Sequence, residues 1–506
     1  MTDAARESLQ PILAATIVVY MAAMYAIGVW AKGKVEDEED YLVAGRRLPF
    51  SLSTLTLVAT WFGAETLLAT PDEVREGGLR EIAMDPLGMG LCLMLGGLLL
   101  AGPLWRMGLL TLGDFFRVKF GRAAELLSSL ILVPSYFGWI AAQFLALAAV
   151  MELFFGWDPA WGLAVVAVVG TGYTLLGGMW SVTLTDSVQM VLIFLGLALL
   201  GGVVFAELGG GDLATGVARL AEHDPDKLTL VPQESVPEIL GWLNVLAIGA
   251  LGSLPAQDLV QRMFASKSAR VAQASCVAGG ALYWLAGLMP VTLALAADLA
   301  IPGAERASGT LPALAGAFLN PFLASVFVVV ILSAVLSTIT AAVLAPAGVL
   351  AQNVLARPLA GVLAPIALNR LCVVGVAGAS LTAAYFGESA AELLQAAYEM
   401  TMVSLLVPLL LGLWMRPASG LPALASMAVG IGLWSLHFAG GLMRPEAGWD
   451  ERFLGPTPLI SDWHLPPALA MTACSLVAYL ATDAVVRLRS EPQRAATPAT
   501  EPGISP

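Results

Sequence analysis

The chain has 506 residues, of which 58% are hydrophobic and 12% are charged, and its formal net charge is −13 at pH 7. A soluble domain carries roughly twice that fraction of charged residues, so the composition excludes an ordinary soluble protein. The apolar residues fall in long blocks, such as residues 322–349, which contain no charged side chain. A helix needs about 20 such residues to cross the hydrocarbon core of a bilayer.

About 13 apolar blocks reach this length. They lie near residues 10–31, 50–71, 82–104, 124–153, 159–178, 183–207, 237–262, 271–298, 320–351, 365–387, 391–415, 419–440 and 465–486. We therefore predict an all-α polytopic membrane protein in which residues 1–487 form one domain within the lipid bilayer. Residues 488–506 are polar and rich in proline, and we expect a disordered cytoplasmic tail there.

The first block, residues 10–31, is too long for a cleaved signal peptide and lacks a basic flank, so it is predicted to be the first span. If the N-terminus lies outside, most of the 25 Lys and Arg residues fall in cytoplasmic loops, as the positive-inside rule requires. An odd number of spans then places the C-terminus in the cytoplasm. We expect a multi-pass protein of the plasma or inner membrane.

Two spans, the second and the seventh, are interrupted. The second contains Gly63 and Pro71, and the seventh contains Gly252 and Pro255. Such residues loosen a helix and free backbone carbonyls, which protein, water or an ion must then satisfy. Because four ordinary spans follow each interruption, the pattern is typical of an inverted-repeat transporter with a site at the midplane. Two kinked packing helices are the alternative that spacing alone leaves open.

Six short motifs follow one another along the chain: DYLVAGRRLP at 40–49, ATWFGAE at 59–65, TLGDFFR at 111–117, GGMWSVTLTDSVQ at 177–189, QDLVQR at 257–262 and SAVLSTITA at 333–341. Together they resemble the sodium:solute symporter family, with some likeness to its choline-transporter branch. The resemblance implies a LeuT-type fold with two inverted five-helix repeats. It places an extra helix at 10–31, the repeats at 50–207 and 237–415, and two additional helices at 419–486.

The resemblance also implies a sodium site between the second and ninth spans. Sodium prefers several oxygen ligands, which a broken helix supplies as carbonyls and a facing helix as hydroxyls. The positions that the family uses fall on the side chains of Ser337 and Thr338 and on the carbonyls of Ala59, Phe62 and Ala334. Sodium is the only cofactor that we expect.

Asp186, at the start of the sixth span, is a candidate for a second cation site or for coupling. An ionisable group at membrane depth is costly and therefore usually functional, and the family has an aspartate here. Capping of a helix N-terminus is the alternative. Asp186 or Glu65 would carry the proton in a proton-coupled symporter, whereas the Ser337 and Thr338 pair favours sodium.

Candidate solute ligands lie beside the interruptions and on polar faces of the spans. Tyr136 and Trp139 share one helix face, although a stripe of aromatic residues also arises from packing alone. The full set of candidates is Trp61, Glu65, Thr66, Asp85, Tyr136, Trp139, Gln143, Gln257, Gln395 and Tyr398.

The chemistry of these candidates favours a cationic or amine-bearing solute. Acidic groups attract a cation, and Trp61 and Trp139 supply cation–π surfaces. These two residues resemble positions of the aromatic cage in choline transporters, but Ala256 departs from that pattern because those proteins carry Trp there. No Lys or Arg occupies the middle of a span, although arginine would suit a carboxylate substrate best.

We therefore expect a sodium-coupled secondary symporter that imports a small organic solute by alternating access. The chain has three histidines and no metalloprotease, nucleophile-elbow or nucleotide-binding motif, so we do not expect an enzyme. A proton-coupled symporter of the same fold, or a solute sensor without net transport, is the alternative. We expect neither a nucleic-acid partner nor an obligate protein partner.

Overall fold

The computed structural model describes residues 3–172, 174–303, 309–386, 390–442 and 466–495, which are largely helical and form no strand. The helices are α1 (Asp3–Lys32), α2 (Glu38–Val43), α3 (Phe50–Trp61), α4 (Thr70–Gly77), α5 (Met89–Leu95), α6 (Gly102–Arg106), α7 (Leu112–Phe120), α8 (Arg122–Phe155), α9 (Pro159–Gly172), α10 (Thr174–Leu208), α11 (Leu213–His223), α12 (Val236–Gly252), α13 (Gln257–Ala265), α14 (Ala269–Ala300), α15 (Thr310–Phe318), α16 (Pro321–Val349), α17 (Pro365–Phe386), α18 (Ala390–Thr401), α19 (Val407–Trp414), α20 (Leu421–Leu442) and α21 (Pro467–Ala495).

The polytopic all-helical prediction is confirmed. Within the described residues, 10 helices are long and apolar enough to span a membrane, and the bent pair α12 and α13 raises this number to 11. Two shorter apolar helices, α3 and α9, lie where further spans were predicted. The count of about 13 spans stays a prediction. Of the predicted tail, the first residues continue α21 to Ala495, and the rest lies outside the described residues.

The centre of the bundle is α16. Every residue of this helix from Phe327 to Val349 is buried, as expected for a helix that is apolar on all sides. It packs against α1, α8, α10 and α17, and also against α3 and α13. The few hydroxyl groups of α16 therefore face only neighbouring helices, including the two helices that adjoin the interruptions.

Both interrupted spans are broken in the structure. Helix α3 ends at Trp61, and Phe62 has the non-helical angles φ −80° and ψ 71°. Helical geometry returns through a wide turn at Glu65–Ala69, which leads into α4. The second break separates α12 from α13, whose axes differ by 41°.

The order of elements is the same in the two halves. Each half begins with a broken helix, and a nine-residue helix precedes the third span of each, α7 before α8 and α15 before α16. Outside the halves, α1 packs on α10 and α16, whereas α20 and α21 pack chiefly on each other. One additional long helix, α1, before the halves and two after them match the predicted arrangement. The numerical repeat boundaries stay predictions.

Candidate cation and solute sites

The break in α3 lies against the middle of α16. The amide of Gly63 donates to the carbonyl of Trp61 over 2.9 Å, whereas a continuous helix would direct it to the carbonyl of Ala59. The Ala59 carbonyl instead lies 2.9 Å from the hydroxyl of Ser337, which is also 2.7 Å from the carbonyl of Ala334. A freed carbonyl of one half therefore meets a hydroxyl of the other.

Thr338 completes this oxygen cluster. Its hydroxyl lies 3.2 Å from the Ala334 carbonyl, and a methyl group placed on Gly63 would come within 2.6 Å of it. The structure thus brings four of the five predicted sodium ligands together, and the fifth residue, Phe62, directly follows the end of α3. Carbonyl and hydroxyl oxygens are suitable ligands for a hard cation. The assignment of sodium to this cluster stays a prediction.

Asp186 lies at a second contact between the broken helices. Its carboxylate accepts a hydrogen bond of 2.6 Å from Thr56 of α3 and lies 3.6 Å from the guanidinium of Arg262 of α13. Because α10 begins at Thr174, Asp186 is well inside the helix and does not cap its N-terminus. The sequence reading did not identify Arg262 as a buried cation, although only 1% of the residue is exposed.

All four predicted aromatic residues line one internal cavity of about 20 Å³ between the two broken helices, which we call the inner cavity. The ring centroids of Tyr136 and Trp139 are 5.7 Å apart, and those of Trp139 and Tyr398 are 6.2 Å apart. Trp61 forms a further wall. A cavity of this volume holds about one water molecule, so an organic solute requires it to widen.

Asp258 also lines this cavity, and sequence reasoning missed it. The residue is fully buried. Its carboxylate accepts hydrogen bonds from the Trp61 ring N–H at 2.6 Å and from the Tyr136 hydroxyl at 2.5 Å. The only sequence signal was a charged residue immediately after the break in the seventh span.

A second cavity, of about 340 Å³, lies toward the predicted outer face, and we call it the outer cavity. The predicted candidates Glu65, Asp85 and Gln143 line it. Among its described lining residues are five carboxylates and no basic side chain; the acidic ones are Glu65, Asp72, Glu73, Glu81 and Asp85. The cavity therefore presents a negative field to approaching solutes.

Thr66 is not among the lining residues of either cavity, but it supports Asp85, which lines the outer one. Its hydroxyl donates to the Asp85 carboxylate over 2.5 Å, and the Tyr283 hydroxyl lies 2.6 Å from the same carboxylate. The Tyr283 hydroxyl is also 3.1 Å from the Trp61 carbonyl. Two buried carboxylates thus flank Trp61, with Asp258 on its side chain and Asp85 linked to its backbone.

Besides Thr66, two further predicted solute ligands line neither cavity. Gln257 is fully buried, and its side-chain oxygen accepts a hydrogen bond of 2.7 Å from the amide of Leu112. Gln395 is half-buried on α18 and is not among the lining residues of either cavity. For these two side chains, solute binding stays a prediction that this arrangement does not support.

The predicted inner end is closed by contacts between the halves. Asn353, just after α16, donates to the carboxylates of Asp114 at 3.1 Å and Glu125 at 2.9 Å. Arg122 pairs with Glu125 at 2.7 Å and donates to the Asn353 carbonyl at 2.8 Å. These bonds hold α7 and α8 against the end of α16.

Comparison with known proteins gives one consistent result. The sequence profile of the sodium:solute symporter family matches residues 41–430. High affinity choline transporter 1 of Mus musculus is 34% identical over 268 residues, which are 51% of this chain and 45% of that transporter. The sodium/proline symporter of Escherichia coli (strain K12) is 25% identical over 346 residues, which are 64% of this chain and 66% of that protein. The chain thus spans about half the length of the choline transporters it matches.

Among solved structures, the substrate-bound outward-open state of a Na+-coupled sialic acid symporter aligns with a TM-score of 0.73. The alignment covers 94% of this chain and 98% of that one, at 16% sequence identity. A likeness of this extent at low identity shows the fold. The predicted fold class, a LeuT-type bundle, is thereby confirmed.

Proposed function

The chain belongs to the sodium:solute symporter family, and we propose that it is a sodium-coupled symporter that imports a small organic cation by alternating access. The observation that carries the proposal is the contact of the Ser337 hydroxyl with the Ala59 carbonyl across the α3 break. It brings an unwound backbone and a facing hydroxyl pair together at the midplane, where a transported cation can be bound.

Sodium fits this cluster better than a proton does. A proton carrier needs a titratable side chain, whereas all five predicted ligands here are carbonyl or hydroxyl oxygens. Asp186, a buried acid that accepts a hydrogen bond from Thr56 of α3, is 3.6 Å from Arg262, so its charge is already compensated. A sodium ion would replace the Ser337 hydroxyl as the partner of the Ala59 carbonyl and hold the helix end in place.

The solute class follows from the two cavities. Four aromatic rings and one carboxylate line the inner cavity, and their faces suit a positively charged nitrogen. The outer cavity on the predicted access path carries five acidic residues among its described lining. The choline transporters among the relatives support a cationic solute, whereas an acidic solute would meet no arginine in either set of lining residues.

Transport then requires both cavities in turn. The solute collects in the outer cavity, and the inner cavity widens as the helices around the α12–α13 break move. Sodium and solute each stabilise the arrangement of α3 that the other needs, so their binding is linked. With a negative interior, each positive charge that enters gains about 2.3 kcal/mol per 100 mV.

The topology that we propose follows from the distribution of basic residues. The outer cavity opens on the side of α4 and α15, and the closed end lies at Asn353. Placement of the N-terminus outside and the C-terminus in the cytoplasm would put this cavity at the extracellular face of the plasma or inner membrane.

The test is uptake into proteoliposomes under an imposed inward sodium gradient. The panel contains choline and ethanolamine as cations, proline and betaine as zwitterions, and sialic acid as an anion. Accumulation of a cation that requires sodium, and that Ser337→Ala/Thr338→Ala abolishes, is the expected result. Accumulation under a pH gradient alone would replace sodium with a proton. Solute binding without accumulation under either gradient would support a sensor.

A further inference from the structure

The charges buried beside the two breaks do not balance. Asp186 has Arg262 as its partner at 3.6 Å. Asp258, one helical turn before Arg262, forms no ion pair with any Lys, Arg or His in the described part of the chain. Arg262 donates a hydrogen bond of 3.1 Å to the backbone carbonyl of Asp258 but none to its carboxylate. A fully buried carboxylate therefore has no cation within ion-pair distance among the described residues. The nearby guanidinium of Arg262 is shared by two carboxylates, those of Asp186 and Asp258.

Hydrogen bonds offset only part of the cost of that burial. The ring N–H of Trp61 and the hydroxyl of Tyr136 occupy two acceptor positions on the Asp258 carboxylate. An ionised carboxylate offers about four such positions, and isolated buried charge is strongly unfavourable. The remaining positions adjoin a cavity whose other walls include the rings of Trp139 and Tyr398.

A positively charged nitrogen in this cavity would resolve the imbalance. It would pair with the carboxylate on one side and meet aromatic faces on the others, where cation–π attraction is strongest when water is excluded. A neutral solute of the same shape would leave the charge uncompensated, and an anion would add repulsion.

We infer that Asp258 is the counter-ion that binds the charged nitrogen of the transported solute. The inference rests on the proposed function, since it assigns a solute-binding residue within that site. It narrows the solute to an organic cation whose single positive nitrogen fits between Asp258 and the rings of Trp139 and Tyr398. The Trp61 and Tyr136 donors hold the carboxylate in position for this contact.

The first experiment compares each cation with its uncharged analogue on the wild-type protein. Choline is paired with 3,3-dimethylbutan-1-ol, and ethanolamine is paired with propan-1-ol. Binding is followed by thermal stabilisation of the full chain in detergent with saturating sodium. We expect at least one cation to stabilise the protein and its neutral analogue to do so at concentrations at least about 30-fold higher, which corresponds to about 2 kcal/mol.

The second experiment tests the residue. Asp258→Asn keeps the size and removes the charge, Asp258→Glu keeps the charge, and Glu222→Gln is the matched change at an exposed carboxylate of α11. Sodium binding is measured separately with the isotope ²²Na⁺. We expect Asp258→Asn to erase the difference between cation and neutral analogue while it binds sodium within about threefold of the wild type. Asp258→Glu should keep part of that difference, and Glu222→Gln should keep all of it.

Several outcomes would overturn the inference. Equal stabilisation by cation and neutral analogue in the wild type would do so, and so would an unchanged preference in Asp258→Asn. Loss of sodium binding in Asp258→Asn would show that the residue supports the fold rather than the solute. Failure of the proposed function looks different, because the wild type itself would then bind no ²²Na⁺ and accumulate no solute under a sodium gradient.

Discussion

Replacement of Ser337 by alanine tests the sodium site at the contact on which the proposal depends. The change deletes one of five predicted oxygen ligands and removes the hydroxyl that lies 2.9 Å from the Ala59 carbonyl and 2.7 Å from the Ala334 carbonyl. Because the helix is broken here, no backbone amide of α3 is in position to donate a hydrogen bond to the Ala59 carbonyl in place of the hydroxyl.

The magnitude can be worked from these contacts. In the sodium-bound state, the variant leaves the buried ion without one oxygen ligand, and a polar contact with a charged group contributes about 1.5–3 kcal/mol. We therefore expect Ser337→Ala to weaken sodium binding by about 1.5–3 kcal/mol, which is roughly 10- to 150-fold. The measurement is equilibrium binding of ²²Na⁺ to purified protein, with the sodium dependence of solute uptake as a second readout.

Ser333 provides a matched control on the same helix. It is equally buried, and its hydroxyl donates to the carbonyl of Val329 in its own helix over 2.7 Å. Ser333→Ala should leave sodium affinity within about threefold of the wild type. If Ser337→Ala binds sodium as the wild type does, or if Ser333→Ala loses as much affinity, the oxygen cluster is not the sodium site.

Three further predictions concern neighbouring contacts. Gly63→Ala places a methyl group 2.6 Å from the Thr338 hydroxyl. Because overpacking of this kind costs about 1–3 kcal/mol, the affinity for ²²Na⁺ should fall at least about fivefold. An unchanged affinity would contradict the geometry. Asn353→Ala removes two buried hydrogen bonds to carboxylates. The backbone amide hydrogens of α7 should therefore exchange about 10-fold faster or more. Unaltered exchange would exclude a role for Asn353 in closing the inner end. Arg262→Gln leaves Asp186 without its cation and should lower stability by about 3–5 kcal/mol, and a second change, Asp186→Asn, should recover part of it in thermal unfolding. If Arg262→Gln alone is as stable as the wild type, the ion pair between Arg262 and Asp186 contributes little to stability.

The sequence predicted the architecture well because a bilayer permits few solutions for the backbone. The block at 320–351 corresponds to α16, and the interruption at Gly63 corresponds to the end of α3 at Phe62. These features depend on local composition, on apolar length and on the loss of helical hydrogen bonds. They can therefore be read without knowledge of which helices touch.

The solute candidates were predicted less completely because they depend on contacts between distant segments. The proposed role of Asp258 depends on its hydrogen bonds with Trp61 and Tyr136, which are 197 and 122 residues away in the sequence. Its neighbour Gln257 was chosen instead, but consecutive side chains on a helix differ by about 100° in direction. Gln257 accordingly contacts Leu112, whereas Asp258 faces the aromatic cavity.

Axial distance explains why the candidates on α8 separate into two cavities. Tyr136 and Gln143 share a helix face, yet seven residues correspond to about 10 Å along the axis. Tyr136 lines the inner cavity, whereas Gln143 lines the outer one. The side-chain oxygen of Gln143 accepts a hydrogen bond of 3.0 Å from the Ala64 amide. The periodicity of a sequence assigns residues to a face but does not assign them to a depth.

The two proposed sites meet in consecutive residues at the end of α3, Trp61 and Phe62, and this continuity would supply the coupling that symport needs. The carbonyl of Phe62 is a predicted sodium ligand, and the ring of Trp61, the residue before it, donates to Asp258. A sodium ion at the Phe62 carbonyl and a cationic solute beside the Trp61 ring would both order the same end of the broken helix. Two cations nevertheless repel each other in a medium of low dielectric constant. Positive coupling therefore requires that the gain from shared ordering exceed this repulsion, and the buried carboxylates of Asp85 and Asp258, on either side of Trp61, reduce the repulsion that must be overcome.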